Sequence, residues 1–343
     1  MSKGKLIHLV DTTLRDGSHA VSHEYTVEQI AAIAGGLDAA GIEYIEVTHG
    51  DGLAGSSFNY GWSLTSEEDM LVAAAKAIKN GKLTVLLLPG IATVENLEHA
   101  ARCGAKAVRV ATHVTEADIG EQHIGIAKKL GLQAFGFLMM SHMAPPEKVV
   151  EQAKLFESYG ADIIYVADSA GAMLPEDVKA RVGAVVEAVK VPVGFHAHNN
   201  LSLATANSLA ALEVGASFLD GTCRGLGAGA GNTQIEVLVG VLAKAGYQSS
   251  VDFYKIMDVA EDRVEPVMHR PQVVRNAPLM LGYAGVYSSF LLHTYRAAEK
   301  FQLDPRDILA ELGRRRMVGG QEDMIVDVAY KLAQKRGGSY ESR

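Results

Sequence analysis

The sequence predicts a closed barrel of eight parallel β-strands surrounded by helices, a TIM (β/α)8 barrel, followed by a mostly helical C-terminal region. Two observations predict this fold. An amphipathic stretch, a glycine and a short apolar run recur in that order along roughly the first 250 of the 343 residues. The apolar runs are bounded and rich in β-branched residues, which is typical of buried parallel strands.

The recurring glycines indicate where helices end. Glycine tolerates the left-handed backbone conformation with which helices commonly finish. The phrases "DAAGIEYIEV" and "ESYGADIIYVAD" show the pattern, in which the strand begins directly after the glycine. We expect six such helix ends, at Gly41, Gly81, Gly104, Gly131, Gly160 and Gly215.

Eight strands can be placed in order, each followed by a helical segment. They lie near residues 5–10, 42–48, 83–89, 106–111, 132–138, 162–167, 191–198 and 216–221. Eight βα units favour the barrel, which we assign to residues 1–250 as a domain carrying a metal and catalytic site. A doubly wound open sheet is the alternative, although it usually has fewer strands and a topological switch point.

The pattern changes after about residue 250. Segments 252–268, 301–317 and 321–336 are helical by period, and an apolar stretch, "LMLGYAGVYSSFLLH", lies between the first two. We expect residues 251–343 to form a helical region that contacts a partner. The last residues, "GGSYESR", are expected to fray.

Composition excludes several function classes. The hydrophobic content is 48%, and the net charge of −8 with no basic run argues against a nucleic-acid or membrane-surface partner. Two cysteines cannot form a disulfide framework. No apolar run approaches the roughly 18 residues of a membrane span, and the N-terminus lacks the apolar region of a signal peptide. We therefore expect a cytoplasmic protein.

Polar residues follow the predicted strands, at the end of a TIM barrel where catalysis takes place. Arg15, Asp16 and His19 follow the first strand, and Ser169 follows the sixth. Further polar residues at strand ends are Glu46, His49, His113, His142, Asp168, Asp220, Thr222 and Arg224. Such residues are costly in a closed core unless they are paired or functional.

The motif "FHAHNN" gives the sharpest indication of chemistry. His196 and His198 are two apart on a predicted strand and should share one face. With Asp16 they would provide two imidazoles and a carboxylate, leaving positions open for substrate and water. That set suits Mn²⁺, Fe²⁺ or Co²⁺, with Mg²⁺ also compatible, whereas a structural zinc site needs four protein ligands. The alternative is that one histidine is a core residue bonded to a carbonyl.

A Schiff-base lysine is the other route to carbonyl chemistry. Lys5, Lys82 and Lys106 fall at the starts of predicted strands, and no lysine falls at a predicted strand end. This distribution favours the metal.

At these motifs the sequence resembles a known superfamily. "DTTLRDG" followed by "HAHN" is similar to the metal-dependent DRE-TIM lyases and synthases. Within it, "RDGSHA", "LLLPG", "GLGAGAGNTQIE" and "LGYAGVYSSFLLH" resemble the 4-hydroxy-2-oxovalerate aldolases, a family of class II pyruvate aldolases. The acyl-CoA branches usually carry Glu-Gln where Ser18 and His19 stand.

The resemblance implies a role for each site residue. Asp16, His196 and His198 would bind the ion, most often Mn²⁺, with Co²⁺ or Mg²⁺ as alternatives. Arg15 and His196 would face the pyruvyl oxygens, His19 would be the acid/base, and Ser169 would lie by the pyruvate carboxylate. Tyr287 would shape the aldehyde side, and Leu86 and Leu88 would set stereochemistry and chain length. Gly319 and Gly320 would lie on the path of the aldehyde to a partner.

It also implies the reaction and the partner. 4-Hydroxy-2-oxopentanoate would be cleaved to pyruvate and acetaldehyde through a metal-stabilised pyruvate enolate, in meta-cleavage degradation of aromatics or sterols. The partner would be an acylating, NAD- and CoA-dependent acetaldehyde dehydrogenase, in a heterotetramer with substrate channelling.

Two other functions stay open at this point. One is an acyl-CoA-dependent synthase or lyase of the isopropylmalate synthase or hydroxymethylglutaryl-CoA lyase type, against which Ser18-His19 and the short C-terminal region argue. The other is a non-catalytic scaffold subunit, against which the complete residue set argues. Asn232 could approach the metal or cap a helix.

Overall fold

The computed structural model describes residues 6–336, so Lys5 of the first predicted strand and the predicted frayed tail, 337–343, lie outside the described residues. Eight parallel strands close into a barrel because β1 pairs with both β2 and β8. The strands are β1 Leu6–Asp11, β2 Tyr44–Glu46, β3 Lys82–Leu87, β4 Ala107–His113, β5 Gln133–Met139, β6 Ile163–Asp168, β7 Val193–Ala197 and β8 Phe218–Gly221. The predicted TIM barrel is confirmed.

A helix follows each strand and covers the barrel. The helices are α1 Val27–Ala39, α2 Glu67–Ala77, α3 Val94–Arg102, α4 Glu121–Lys129, α5 Pro146–Ser158, α6 Pro175–Ala188, α7 Ala204–Glu213 and α8 Ile235–Ala245. The local sequence explains where several of these helices begin. Thr26 and Gln29 form a capping box at α1, and Pro146 and Pro175 occupy the first turns of their helices, where a missing N–H costs nothing.

Five of the six predicted glycines adopt the left-handed conformation, and Gly81 does not. The prediction for Gly81 is wrong because α2 already ends at Ala77, and the next residue, Ile78, is extended. The Gly81 N–H instead donates to the Asp38 carboxylate at the end of α1, at 2.6 Å. The segment before β3 is therefore fixed by a tertiary hydrogen bond.

A ninth strand, β9 at Gln248–Ser249, was not expected from the sequence. It pairs with Leu6 and Ile7 of β1, below the point at which β8 begins to pair with His8. Two residues are too few to show periodicity, so only the tertiary pairing defines this strand.

The C-terminal region is helical, as predicted. It contains α9 Phe253–Asp258, a π-helical turn Val259–Val264, a 3-10 turn Glu265–Val267, α10 Asn276–Ala284, α11 Phe290–Phe301, α12 Pro305–Arg314 and α13 Asp323–Lys335. Ile256, Val259 and Val264 pack into the core between barrel and helices. The helices α10–α13 enclose a separate core that includes Phe290 and Ile308. The division into domains at residue 250 stays a prediction.

The barrel interior holds a third apolar cluster, which includes Tyr44, Phe135, Phe137, Tyr165 and Phe218. These rings fill the barrel, so the polar residues gather above them, at the carboxyl ends of the strands. Within residues 6–336, every helix is too short or too polar to cross a membrane.

Candidate metal and substrate site

Three predicted metal ligands meet at the carboxyl end of the barrel. Asp16 begins a short 3-10 helix after β1, His196 lies in β7, and His198 follows the end of β7. The Nε2 atoms of both imidazoles lie 3.6 Å from the same oxygen, Oδ2 of Asp16. All three side chains are buried. The structure thus brings together the three residues that the sequence singled out.

Hydrogen bonds on the far side of each ring determine which imidazole nitrogen carries a proton. Nδ1 of His198 lies 3.4 Å from the Ala228 carbonyl, which can only accept, so Nδ1 is the donor. Nδ1 of His196 lies 2.9 Å from Oδ2 of Asp220. Burial raises the pKa of Asp220, but His196 and Arg109 outweigh that and hold it below its usual range, so the carboxylate accepts.

In the neutral form of each ring, the Nε2 lone pair therefore points to Asp16. Burial lowers the pKa of His198 to about 4, which keeps its ring neutral near pH 7. Neutral imidazoles oriented by an outer carboxylate or carbonyl are the usual form of histidine ligands. This donor set fits a divalent metal ion.

The Asp16 carboxylate is held in its charged form. Burial alone would raise its pKa, but Arg15, His198 and His196 together hold it well below its usual range. Nη1 of Arg15 lies 2.9 Å from Oδ2, and the Ala228 N–H donates to Oδ1 at 3.3 Å. Asp16 is therefore ready to bind a cation without first losing a proton.

A buried network of charges supports this site from below. Arg109, on β4, donates to Glu46 and to Asp220, both at 2.8 Å. Nε of Arg15 lies 3.4 Å from the other oxygen of Glu46. The network thus runs from Arg15 through Glu46, Arg109 and Asp220 to His196. Sequence reasoning missed Arg109, although a single arginine inside the apolar strand "AVRV" was a usable signal.

The predicted site residues line one small cavity of about 30 Å³. Its lining includes every residue assigned a catalytic, substrate or metal role: Arg15, Asp16, His19, Leu86, Leu88, Ser169, His196, His198 and Tyr287. Their positions agree with a shared site, and their individual roles stay predictions. Asp51, Phe137 and Met139, which line the same cavity, were not predicted.

His19 reaches the cavity because Gly50 has no side chain. A Cβ at Gly50 would lie only 2.5 Å from Nε2 of His19. The glycine after His49 therefore makes room for the imidazole, a close approach that local sequence pattern does not reveal.

Ser169 and Tyr287 connect the C-terminal region to the barrel. The Ser169 hydroxyl accepts from the Met140 N–H at 3.0 Å, and its carbonyl accepts from the Ser288 hydroxyl at 2.8 Å. Burial raises the pKa of Tyr287, so its phenol stays neutral. The turn before α11 is thereby fixed at the mouth of the barrel.

A larger cavity of about 270 Å³ adjoins the first. Both are lined by Asp51, Leu88, Met139 and Tyr287, and the larger one extends to Gly319 and Gly320. A Cβ at Gly319 would lie 3.1 Å from the Tyr287 ring. The predicted glycine pair thus lies along a space that begins at the site.

Asn232 is buried beside His198, with which it forms an isolated backbone bridge. Its side-chain nitrogen donates to the Leu226 carbonyl at 3.3 Å. Its side-chain oxygen has no hydrogen-bond partner among residues 6–336. That oxygen is available to accept a hydrogen bond or to act as a further metal ligand.

Comparison with known proteins agrees with this fold and site. The HMGL-like family model matches residues 6–262, and the DmpG-like communication domain matches residues 272–334. Among solved structures, the carboxyl transferase domain of Rhizobium etli pyruvate carboxylase superposes with a TM-score of 0.80, covering 97% of this chain and 61% of that one at 18% identity. That likeness concerns the fold alone. The chain belongs to the HMGL-like family of barrels.

Similarity to individual relatives shows to which group within this family the chain belongs. A 4-hydroxy-2-oxovalerate aldolase of Moorella thermoacetica is 84% identical over 97% of this chain and 98% of its own length. One of Carboxydothermus hydrogenoformans is 69% identical over 96% and 98%. Within the HMGL-like family, the chain therefore belongs to the 4-hydroxy-2-oxovalerate aldolases, which are carbon–carbon lyases. These relatives do not support the acyl-CoA-dependent alternative or a non-catalytic scaffold.

Proposed function

We propose that this protein cleaves the C3–C4 bond of 4-hydroxy-2-oxopentanoate to give pyruvate and acetaldehyde. One observation carries the proposal. The Nε2 atoms of two imidazoles and a charged carboxylate face one another beside the Arg15 guanidinium, in a cavity at the barrel mouth. Cleavage of a 4-hydroxy-2-oxoacid develops negative charge on the keto oxygen, and a cation-binding centre of this kind stabilises that charge.

Asp16, His196 and His198 would hold the divalent ion, with Mn²⁺ as the first candidate and Co²⁺ or Mg²⁺ as alternatives. When bound, such an ion supplies a Lewis acid that stabilises negative charge on the pyruvyl oxygens. Three protein ligands leave coordination positions open for a small bidentate acid.

Arg15 supplies fixed positive charge to the same oxygens. Its guanidinium is held by Asp16 and Glu46 before any substrate arrives. A preorganised charge of this kind stabilises the transition state without reorganising during the reaction. A guanidinium is also always protonated, so the charge does not vary with pH.

His19 takes the proton from the C4 hydroxyl. The C4–O⁻ electrons then form the carbonyl of acetaldehyde, the C3–C4 bond breaks, and its electron pair forms the pyruvate enolate. Protonation of C3 completes pyruvate. Ser169 lies by the pyruvate carboxylate, and Tyr287, Leu86 and Leu88, which line the same cavity, form the aldehyde side.

Mass spectrometry of the products tests the proposal. Metal-stripped protein is incubated with 4-hydroxy-2-oxopentanoate, with and without Mn²⁺, beside the His198→Ala variant. We expect equimolar pyruvate and acetaldehyde only from wild type with the ion. A product that appears only when acetyl-CoA is added would overturn the proposal.

We also propose an acylating acetaldehyde dehydrogenase, dependent on NAD and CoA, as partner in a heterotetramer that serves the degradation of aromatics or sterols. The match of residues 272–334 to a communication domain supports this. The larger cavity supports passage of the aldehyde, because it extends from Leu88 and Tyr287 to Gly319 and Gly320.

A further inference from the structure

A second group of metal-ligating side chains lies beside the proposed triad. His19, His23 and Asp51 each offer one ligand atom, and these atoms lie within 4.8 Å of one another. They come from the 3-10 helix after β1, from the turn that follows it, and from the loop after β2. The proposed reaction gives no role to His23 or Asp51.

The hydrogen bonds of Ser18 determine which ring nitrogen of His23 carries the proton. The Ser18 hydroxyl donates to the Arg15 carbonyl at 2.7 Å, so its one hydrogen is used. The 2.9 Å contact between Ser18 Oγ and Nδ1 of His23 then requires the imidazole to donate. Nε2 of His23 therefore carries the lone pair that a metal ion needs.

The backbone holds His23 in an uncommon conformation. Ser22 and His23 have φ values of 54° and 61°, consecutive left-handed residues without a glycine. Hydrogen bonds from His23 N–H to the Ser18 carbonyl and from Leu64 N–H to the His23 carbonyl fix this turn. The ring also stacks on His49, with 3.8 Å between centroids. Strain of this kind concentrates at functional sites.

Asp51 is a buried carboxylate, and no group in residues 6–336 donates a hydrogen bond to it. Its residue is 8% exposed, and within residues 6–336 its closest basic neighbour is Nδ1 of His49, at 3.5 Å. That nitrogen accepts from the Asp51 N–H at 3.1 Å, so it has no proton to give. Such a group is costly to ionise unless a cation binds it.

We propose that His19, His23 and Asp51 bind a second divalent transition-metal ion of the Zn²⁺ type. Two imidazoles and one carboxylate with open positions are the same donor set as in the first site, and they also occur in zinc sites that have three protein ligands. If His19 is the base, as the proposed function has it, an ion here occupies that base and stops turnover. The second site would then make the enzyme sensitive to excess Zn²⁺.

Binding stoichiometry tests the site independently of catalysis. Zn²⁺ is titrated calorimetrically into metal-stripped full-length protein, and bound metal is counted after dialysis. We expect two ions per chain in wild type, and one in both His23→Asn and Asp51→Asn. Asparagine suits position 23 because it tolerates the left-handed conformation. The His99→Asn variant, altered at a partly exposed histidine on α3, is the control and should bind two.

The pattern across variants separates loss of the site from misfolding. His23→Asn should still bind one ion with the affinity of the Asp16 site, and His198→Ala should retain only the second ion. Saturation of wild type at one ion, or two ions in His23→Asn, would overturn the proposal.

Inhibition tests the consequence that depends on the proposed function. With Mn²⁺ loaded first, added Zn²⁺ should inhibit wild type at concentrations at least tenfold lower than those that inhibit His23→Asn. Equal inhibition of both would exclude a regulatory role. Absence of any aldol cleavage would refute the proposed function but leave the ion count to decide the site.

Discussion

Asp16 lies between the permanent positive charge of Arg15 and the imidazoles of His196 and His198. Oδ2 is 2.9 Å from Arg15 and 3.6 Å from each histidine Nε2. One carboxylate oxygen is thereby shared by the residue proposed to stabilise the enolate and by the residues proposed to hold the ion. Substitutions here should therefore separate binding of the ion from stabilisation of the transition state.

Removing a ligand should abolish binding and turnover together. In His198→Ala we expect calorimetry to detect no tight Mn²⁺ binding, and the aldol cleavage rate to fall to background. His99→Ala, on the outside of the barrel, should match wild type. Full Mn²⁺ affinity in His198→Ala would show that the ligand assignment is wrong.

Substitution of Arg15 should reduce kcat more than it reduces the affinity for the metal ion. Lysine keeps the charge but loses the planar donors, and loss of one donor at an oxyanion site costs roughly 3 kcal/mol. We expect kcat of Arg15→Lys, measured at saturating Mn²⁺, to fall by about a hundredfold or more. Arg306→Lys, at an exposed ion pair, serves as control. A kcat within a few-fold of wild type would remove Arg15 from the mechanism.

At the scale of elements, buried side chains join segments that are distant along the chain. Asp38, near the end of α1, accepts from the N–H groups of Asn80 and Gly81 at 2.8 and 2.6 Å, and so fixes the entry to β3. Arg109 on β4 joins Glu46 of β2 to Asp220, on β8. Each of these contacts is tertiary, so the local sequence preference of either segment does not predict it.

The contribution of Asp38 should depend on pH. Burial raises the pKa of its carboxyl, but hydrogen bonds from Gly81 and Asn80 outweigh this and lower it below its usual value. A depressed pKa contributes stability that is present above the unfolded pKa, about 3.9, and is lost as pH falls through the folded one. Asp38→Ala should lower the free energy of unfolding by about 1.5–3 kcal/mol at pH 7.

Urea denaturation at pH 7 and at pH 3 measures this effect. The difference between wild type and Asp38→Ala should shrink at the lower pH, whereas Glu187→Ala, at an exposed position of α6, should show little difference at either. An Asp38→Ala effect that is constant with pH would argue that lost packing, and not the charged acceptor, matters.

Removing Arg109 should destabilise the barrel strongly. Glu46 and Asp220 are fully buried and would lose their shared cation. Breaking a buried pair in this way costs about 3–5 kcal/mol. Arg109→Met should show that loss in chemical denaturation, and Arg109→Met combined with Glu46→Gln should recover part of it. Additive losses in the double variant would contradict the network.

At the scale of the whole molecule, the C-terminal helices are tied to the catalytic end of the barrel. The Asn200 amide donates to the Ser288 hydroxyl at 2.9 Å, and that hydroxyl donates to the Ser169 carbonyl. Tyr287, beside Ser288, lines both cavities. A partner bound to residues 272–334 would therefore lie near the larger cavity, through which the aldehyde is proposed to leave.

Channelling can be tested with the assembled complex. After co-expression with the dehydrogenase, size exclusion should yield one complex that contains both chains. A large excess of a competing aldehyde-consuming enzyme should then capture little of the acetaldehyde, because the product does not reach bulk solvent. Capture of nearly all the acetaldehyde by an intact complex would refute channelling but not the partnership.

The sequence by itself determined the barrel and much of its site. Short apolar runs are local features. Six of them follow glycines expected to end helices, and with the runs near 5–10 and 191–198 they suffice to predict the eight strands. Parallel strands also bring their carboxyl ends together, so Asp16, His196 and His198 could be grouped without coordinates. The roles of Ser169, Tyr287 and the leucines came from resemblance, since no spacing rule connects them.

Only the tertiary structure decided the contacts between distant segments. Arg109 meets Glu46 and Asp220 across 63 and 111 residues of chain, and His23 meets Asp51 through two unrelated loops. The Gly81 N–H donates to a carboxylate on another element and the glycine does not end a helix, and β9 exists only as a partner of β1. Periodicity reports which face of a segment is buried, whereas these contacts depend on strand register and loop path, which are set by packing over the whole barrel.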